Sequence, residues 1–249
     1  GALEKIPAKL TVTELKKQFA GELQFDGEDR PEPAALFKQA IVEKPEFMEP
    51  EKGLGAARKG TIMHFVMQHI DLKRLAAVLN IRDEADMGKA GATVEPALET
   101  ELEAQLGSMI KKEQLTAAEA QAVNIRAICG FFGTRVGKLM LSTPDVRRET
   151  AFTMEIKCAE IYKELPGDLY GNETMLLQGV IDCWFEKEGG LLLLDYKTDY
   201  VPPGGSNLIK ERYKVQLDYY TRALEQMTGR RVAEKYLYLF YNGELLRCQ

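Results

Sequence analysis

The sequence predicts an α/β protein: a central mixed β-sheet flanked by helices on both faces, with an additional N-terminal helical part. Three observations carry this. Apolar residues recur at helical spacing through 60–79 and 96–141, and the pattern changes to strand-like alternation after Pro144. The stretch 178–199 reads as a hairpin with Val180 and Leu193 on one face and Ile181 and Leu194 on the other. A sheet apolar on both sides is one covered by helices on both sides. A further helical stripe, 213–227, then leads into the β-rich run KYLYLFY.

In chain order, Thr11 or Thr13 caps a short helix running to about Phe19. Residues 25–59, rich in Pro, Glu, Lys and Gly with a brief apolar patch near 37–41, form a long irregular connection. The helix over 60–79 has a wide apolar stripe and is well buried. It carries the chain's two histidines, His64 and His69, which are not an i, i+4 metal pair; His64 is the better ligand candidate. A loop over 84–92 precedes helices at 96–112 and 116–141, the second opening on a capping box at Thr116. Gly130, Gly133 and Gly137 mark a close backbone approach or a break within it. A strand at 146–156 has Glu149 near its start, and a polar loop, 164–173, follows. After the hairpin, Pro202-Pro203-Gly204-Gly205 ends the strand and opens a flexible loop to Lys210. On the helix 213–227, Tyr213, Gln216, Tyr220 and Leu224 share a face, and Gly229 is the C-cap. A strand at 232–240 turns at Asn242-Gly243 into 244–248.

The 249 residues are 45% hydrophobic and 29% charged, an ordinary soluble composition with no apolar run long enough to span a membrane and no signal peptide. The net charge of −5 is not the basic footprint that nucleic-acid binding normally needs. Basic clusters at Arg147-Arg148, Lys210 to Lys214 and Arg230-Arg231 line a channel or are solvated faces. The four cysteines lack a C-x-x-C pair, which argues against a zinc ribbon or disulfide framework and for a reducing, cytoplasmic setting; Cys183 reads as a small core residue.

The chemistry concentrates in the hairpin. With Gly189-Gly190 as its two-residue loop, Glu188 faces Leu191 and Asp182 lies opposite Lys197, with Asp195 its diagonal neighbour and Tyr196 pointing away. Two like charges this close call for a cation between them, and such oxygen ligands suit Mg²⁺ or Mn²⁺. A divalent ion beside an ammonium group is an arrangement for hydrolysing a phosphodiester. The competing reading is an ordinary edge-strand ion pair.

Five stretches, GTIMH (60–64), RETAF (148–152), GVID (179–182), DYKTD (195–199) and QLDYY (216–220), resemble in order and spacing the RecB-family nucleases of the PD-(D/E)XK superfamily. LTVTELK and VMQHIDL are similar more specifically to the C-terminal nuclease domains of AddA-type helicase-nucleases. The resemblance implies a restriction-endonuclease-like fold: one nuclease domain over 1–249, with residues 1–145 a mainly helical part carrying His64 and 146–249 the catalytic core. It implies His64, Asp182, Asp195 and the main-chain carbonyl of Tyr196 as Mg²⁺ ligands, with Mn²⁺ able to substitute, and Lys197 as the catalytic lysine. Gln216 and Tyr220, with Tyr213 one turn earlier, would position DNA or the lysine, and Glu149 would orient a water. The implied function is cleavage of the 3′-ended single strand of DNA delivered by helicase domains of the same parent chain, with an AddB-like partner subunit, in the bacterial cytoplasm. The cysteine positions do not fit an iron-sulfur cluster. No P-loop occurs, so no ATP site of that type is expected, and with Gly1 in place of Met the chain reads as a fragment of a longer helicase-nuclease. The alternative is a nuclease-like fold kept for DNA guiding or subunit docking.

Overall fold

The computed structural model describes residues 8–15, 54–81, 94–162 and 172–249. The expected helix end at Phe19, most of the 25–59 connection, the 84–92 loop and most of the 164–173 loop lie outside these residues.

The centre is a six-stranded mixed sheet, and its hub is the longest strand, β3 (Thr174–Lys187). One edge of β3 pairs antiparallel along its length with β2 (Val146–Lys157). Its other edge is shared: β1 (Lys9–Thr11) pairs parallel at 176–178, and β4 (Gly190–Lys197) pairs antiparallel at 183–187. β4 continues in parallel to β5 (Val232–Leu239), and β5 turns back onto β6 (Glu244–Cys248). Among the described residues, after the helical turn over 12–15, six helices precede β2: α1 (Ala56–His69), α2 (Leu72–Val78), α3 (Val94–Lys111), α4 (Ala117–Gln121), α5 (Ile125–Gly133) and α6 (Arg135–Ser142). A single turn, α7 (Cys158–Ile161), follows β2, and α8 (Ser206–Thr228) links β4 to β5.

The sheet is covered on both faces, as its two-sided apolar pattern requires. Helices α1–α6 bury Val66, Met67, Phe131, Phe132 and Met140 against Cys183, Phe185, Leu192, Leu194 and Tyr238. On the other face α8 lays Leu217 and Leu224 on Leu177, Ile181, Leu193 and Leu237. Each large apolar side chain removed from water contributes roughly 1.5–3 kcal/mol, so these two cores hold the layers together.

The structure corrects several boundaries. The helix expected over 60–79 begins at Ala56 and is cut at Ile70–Asp71, because the Asp71 carboxylate accepts from the Lys73 and Arg74 amides and starts a new helix. The helix expected over 116–141 is three: the Thr116–Glu119 capping box starts α4, Asn124 caps α5, and Thr134 caps α6. Gly137 is where those pieces touch, since a Cβ there would lie 2.1 Å from the Phe131 carbonyl oxygen. α8 begins at Ser206, well before Tyr213, so the stretch to Lys210 is partly helical. β1 was not expected; it ends at Thr11, whose hydroxyl and amide meet Glu14 as a capping box.

The hairpin register also differs. Lys187 pairs with Gly190, and Glu188-Gly189 form the turn, so Asp182 lies level with Asp195 and not with Lys197. The shift moves β4 by two positions along β3, an even number, so Asp195 and Lys197 keep their common face. Pairing between β3 and β4 stops at Cys183↔Leu194, and the strands fork at Asp182. The expected faces change at that fork. Cys183 and Phe185 pack in the helical core, whereas Ile181, of the same parity, packs with Leu193 under α8. The β2–β3 ribbon turns over between layers at this level, where Glu149 has φ of +51° and the ladder skips it between Arg148↔Cys183 and Thr150↔Ile181.

Two features bring α1 to the fork. At Gly60 a Cβ would meet the Thr198 hydroxyl at 2.8 Å, so the missing side chain lets the helix approach the end of β4. At its other end, the Arg148 guanidinium donates to the carbonyls of Met67 (3.1 Å) and Ile70 (2.8 Å), satisfying orphan groups of the helix terminus.

Candidate active site

The fork leaves the amide of Tyr196 without a strand partner, and the Asp182 carboxylate takes it: Tyr196 N–H donates to Oδ2 at 2.8 Å. The same oxygen lies 3.4 Å from His64 Nδ1 on α1. Glu149, aimed by its left-handed backbone, completes a trio whose ligand atoms all lie within 4.8 Å of one another. A backbone strained at a non-glycine residue persists only where surrounding structure enforces it. Donors opposite each other on one divalent ion are about 4.2–4.6 Å apart, so the trio has the spread of a coordination site.

Asp195, 1% exposed, lies outside that trio. Its Oδ1 accepts from Gln216 Nε2 at 3.2 Å. Its Oδ2 is 2.5 Å from Lys197 Nζ, yet it makes no hydrogen bond of good geometry. The ammonium is the charge that compensates this buried carboxylate. The Lys197 ammonium rests 4.3 Å from the centre of the Tyr213 ring, and the Tyr213 hydroxyl donates to Asp199 Oδ2 at 2.7 Å. Gln216 Nε2 also donates to the Tyr220 hydroxyl at 2.9 Å, and the Tyr220 ring meets Phe152 edge-on.

The electrostatics are those of crowded acids. Burial, with the Asp182 charge adding to it, lifts Glu149 to about 7. Burial lifts Asp195 to about 6 against the pull of Lys197. For Asp182 burial pushes up, but His64, Lys197 and the Tyr196 amide outweigh it and the carboxyl is lowered. His64 is raised because Asp182 overcomes burial, and Lys197 is raised because Asp195 and Asp182 do the same. The His64 ring, its pKa raised by the neighbouring carboxylate, thus stands 3.4 Å from Asp182.

Comparison with known proteins fits this geometry. A profile described as the PD-(D/E)XK nuclease superfamily matches residues 33–247. The chain belongs to that superfamily. Its name spells an acid, then an acid and a lysine two positions apart; Asp182 and Asp195-Tyr196-Lys197 fill this pattern, with Ile181 where the name has proline. The chain is 42% identical over 242 residues to an ATP-dependent helicase/nuclease subunit from Acetivibrio thermocellus. It is 43% identical over 240 residues to the protein of the same name from Clostridium novyi, and 42% over 241 to that of Thermoanaerobacter sp. strain X514. These alignments cover 96–97% of this chain but 17% of each relative, so it spans about a sixth of their length.

The structure thus gathers His64, Glu149, Asp182, Asp195, Lys197 and Gln216 around one fork of the superfamily's sheet. Tyr213 and Tyr220 are 2% and 6% exposed and turn their hydroxyls to neighbouring side chains. Asp199 and Arg148 were missed as contributors. Asp199 shares strand parity with Asp195 and Lys197, a signal present in DYKTD. Arg148 carried the opposite signal, because it sits in a basic pair; Arg147 is exposed and pairs with Asp145, while Arg148 turns inward to α1.

Proposed function

We propose that this chain is a Mg²⁺-dependent DNA nuclease domain that hydrolyses phosphodiester bonds of single-stranded DNA. The observation that carries the reading is the meeting of His64, Glu149 and Asp182 at the β3–β4 fork, beside the Asp195–Lys197 pair. His64, Asp182, Asp195 and the Tyr196 carbonyl would hold the ion, for which Mn²⁺ can substitute, with Glu149 as a further oxygen donor. When bound, the ion polarises a phosphoryl oxygen and acidifies water.

The protein's own groups supply the rest. Asp195 and Asp182 keep Lys197 protonated, so its ammonium donates hydrogen bonds to the phosphoryl oxygens as negative charge grows on them. Tyr213, anchored on Asp199, fixes the lysine from below, and Gln216, braced by Tyr220, fixes Asp195. Burial of both tyrosines supports positioning of these side chains over direct contact with DNA. Glu149, which burial and the Asp182 charge push to about 7 without metal, would be drawn back down by a cation beside it, so its carboxylate is suited to orient the attacking water. Water adds across the P–O bond; one fragment leaves with the phosphate and the other with a hydroxyl.

The names of the relatives support a place in a larger assembly. There the chain would cut the 3′-ended strand supplied by helicase domains of its parent polypeptide, together with an AddB-like partner, in repair and recombination of double-strand breaks in the bacterial cytoplasm. Cleavage of 5′-labelled single-stranded DNA with Mg²⁺, abolished in Asp195→Ala and Lys197→Ala, tests the catalytic reading. Persistence of cleavage in both variants overturns it.

A further inference from the structure

Two tyrosines sit in the open just past the catalytic lysine. Tyr200 is 63% and Tyr241 55% exposed, the most exposed large apolar side chains among the described residues. Their rings meet edge-to-face with centroids 4.8 Å apart. The sheet explains the pairing: Lys197 aligns with Leu239, the Phe240 amide donates to the Lys197 carbonyl at 2.8 Å, and the chains leaving β4 and β5 emerge side by side. Tyr200 follows Lys197 by three residues, so their Cα atoms are at most about 11 Å apart. An edge-to-face pair leaves ring faces free, and a tyrosine presents a rigid flat surface at low entropic cost. The residue before Tyr200, Asp199, lies 3.6 Å from the half-exposed Arg212 guanidinium.

We propose that Tyr200 and Tyr241 form a stacking platform for unpaired bases next to the scissile phosphate of single-stranded DNA. The inference rests on the nuclease reading and extends it. Base–aromatic stacking tolerates any sequence, because every base has a π-face. It also supplies affinity without basic charge, which a domain of net charge −5 needs in order to hold a polyanion. A duplex keeps its bases stacked on one another, so the platform favours single strands.

Steady-state cleavage of 5′-labelled oligo(dT) with Mg²⁺ by the whole chain tests this. Tyr200→Ala and Tyr241→Ala each raise KM about tenfold, within the range measured for one stacked base, while kcat changes less than KM. Replacing both by Phe preserves KM, since the stacking face remains. Met227→Ala, an exposed apolar side chain at the other end of α8, leaves both constants unchanged and controls for general surface effects. Abasic sites flanking the cleavage position raise KM for the parent chain and have no further effect on the Ala double variant. A double variant with the parent's KM, or an abasic penalty equal in both proteins, refutes the platform while leaving the nuclease reading intact. A parent chain that neither binds nor cuts oligo(dT) sinks both.

Discussion

Arg148→Met separates two opposed roles for one charged residue. The Arg148 side chain reaches from β2 to the last turn of α1, where one guanidinium nitrogen donates to both Met67 and Ile70 carbonyls. A hydrogen bond from a charged group contributes about 1.5–3 kcal/mol, and a buried carbonyl left unpaired costs about 1–3 kcal/mol. The guanidinium is only partly buried, so water replaces part of what is lost, and the variant should be destabilised by about 2–4 kcal/mol. For a chain of this length that lowers Tm by roughly 5–15 °C. Urea unfolding should show the same loss as a lower midpoint with an unchanged slope. Arg148→Lys keeps one charged donor and should fall midway. If Arg148 instead contacted DNA, its removal would leave stability alone and reduce the slope of log affinity against log salt by about 0.7–0.9. A stability change below about 0.5 kcal/mol together with a reduced salt slope refutes the clamp.

Further outcomes follow from the same network. Gln216→Leu removes the donor shared by Asp195 and Tyr220 and should lower kcat/KM about tenfold or more, whereas Tyr220→Phe, losing only an accepting hydroxyl, should have a smaller effect; equal rates for Gln216→Leu and parent contradict the bracing role. In metal-free buffer, stability should fall as pH rises from about 4.5 to about 7, because Glu149 and Asp195, raised to about 7 and about 6, hold protons in the folded state that the unfolded chain has released. The Glu149 contribution is at most about 3 kcal/mol and less after solvent screening, and millimolar Mg²⁺ should flatten the profile; a pH-independent midpoint without metal counts against the crowded site. Glu119→Gln weakens the Thr116 capping box and the contact with Arg58 on α1, and should cost about 1–2 kcal/mol in urea unfolding while metal-saturated cleavage is retained.

Much of this arrangement was legible in the chain. Alternation in 146–156 and the Gly-containing turn before LLLLDYK located β2, β3 and β4, because period and turn chemistry are local properties. The hairpin register was not, since Glu188-Gly189 and Gly189-Gly190 both offer a glycine with positive φ; the parity of the site survived because the two registers differ by an even step. The fork at Asp182 left no local signal. It depends on β4 parting from β3 after Leu194 while its pairing with β5 continues to Lys197, and that pairing joins residues distant in sequence. The cuts at Asp71, Asn124 and Thr134 were legible as capping residues but lay inside continuous apolar stripes, which favoured longer helices. Arg148 and Asp199 look like ordinary surface charges until α1 and α8 pack against them.

The most direct measurement is an anomalous difference map from a crystal of this chain grown with Mn²⁺. The expected result is a peak at the fork within about 2.0–2.3 Å of His64, Asp182 and at least one further oxygen from Glu149, Asp195 or the Tyr196 carbonyl. A peak elsewhere, or none at the fork while the same preparation cleaves DNA, contradicts the placement of the ion and the roles built around it.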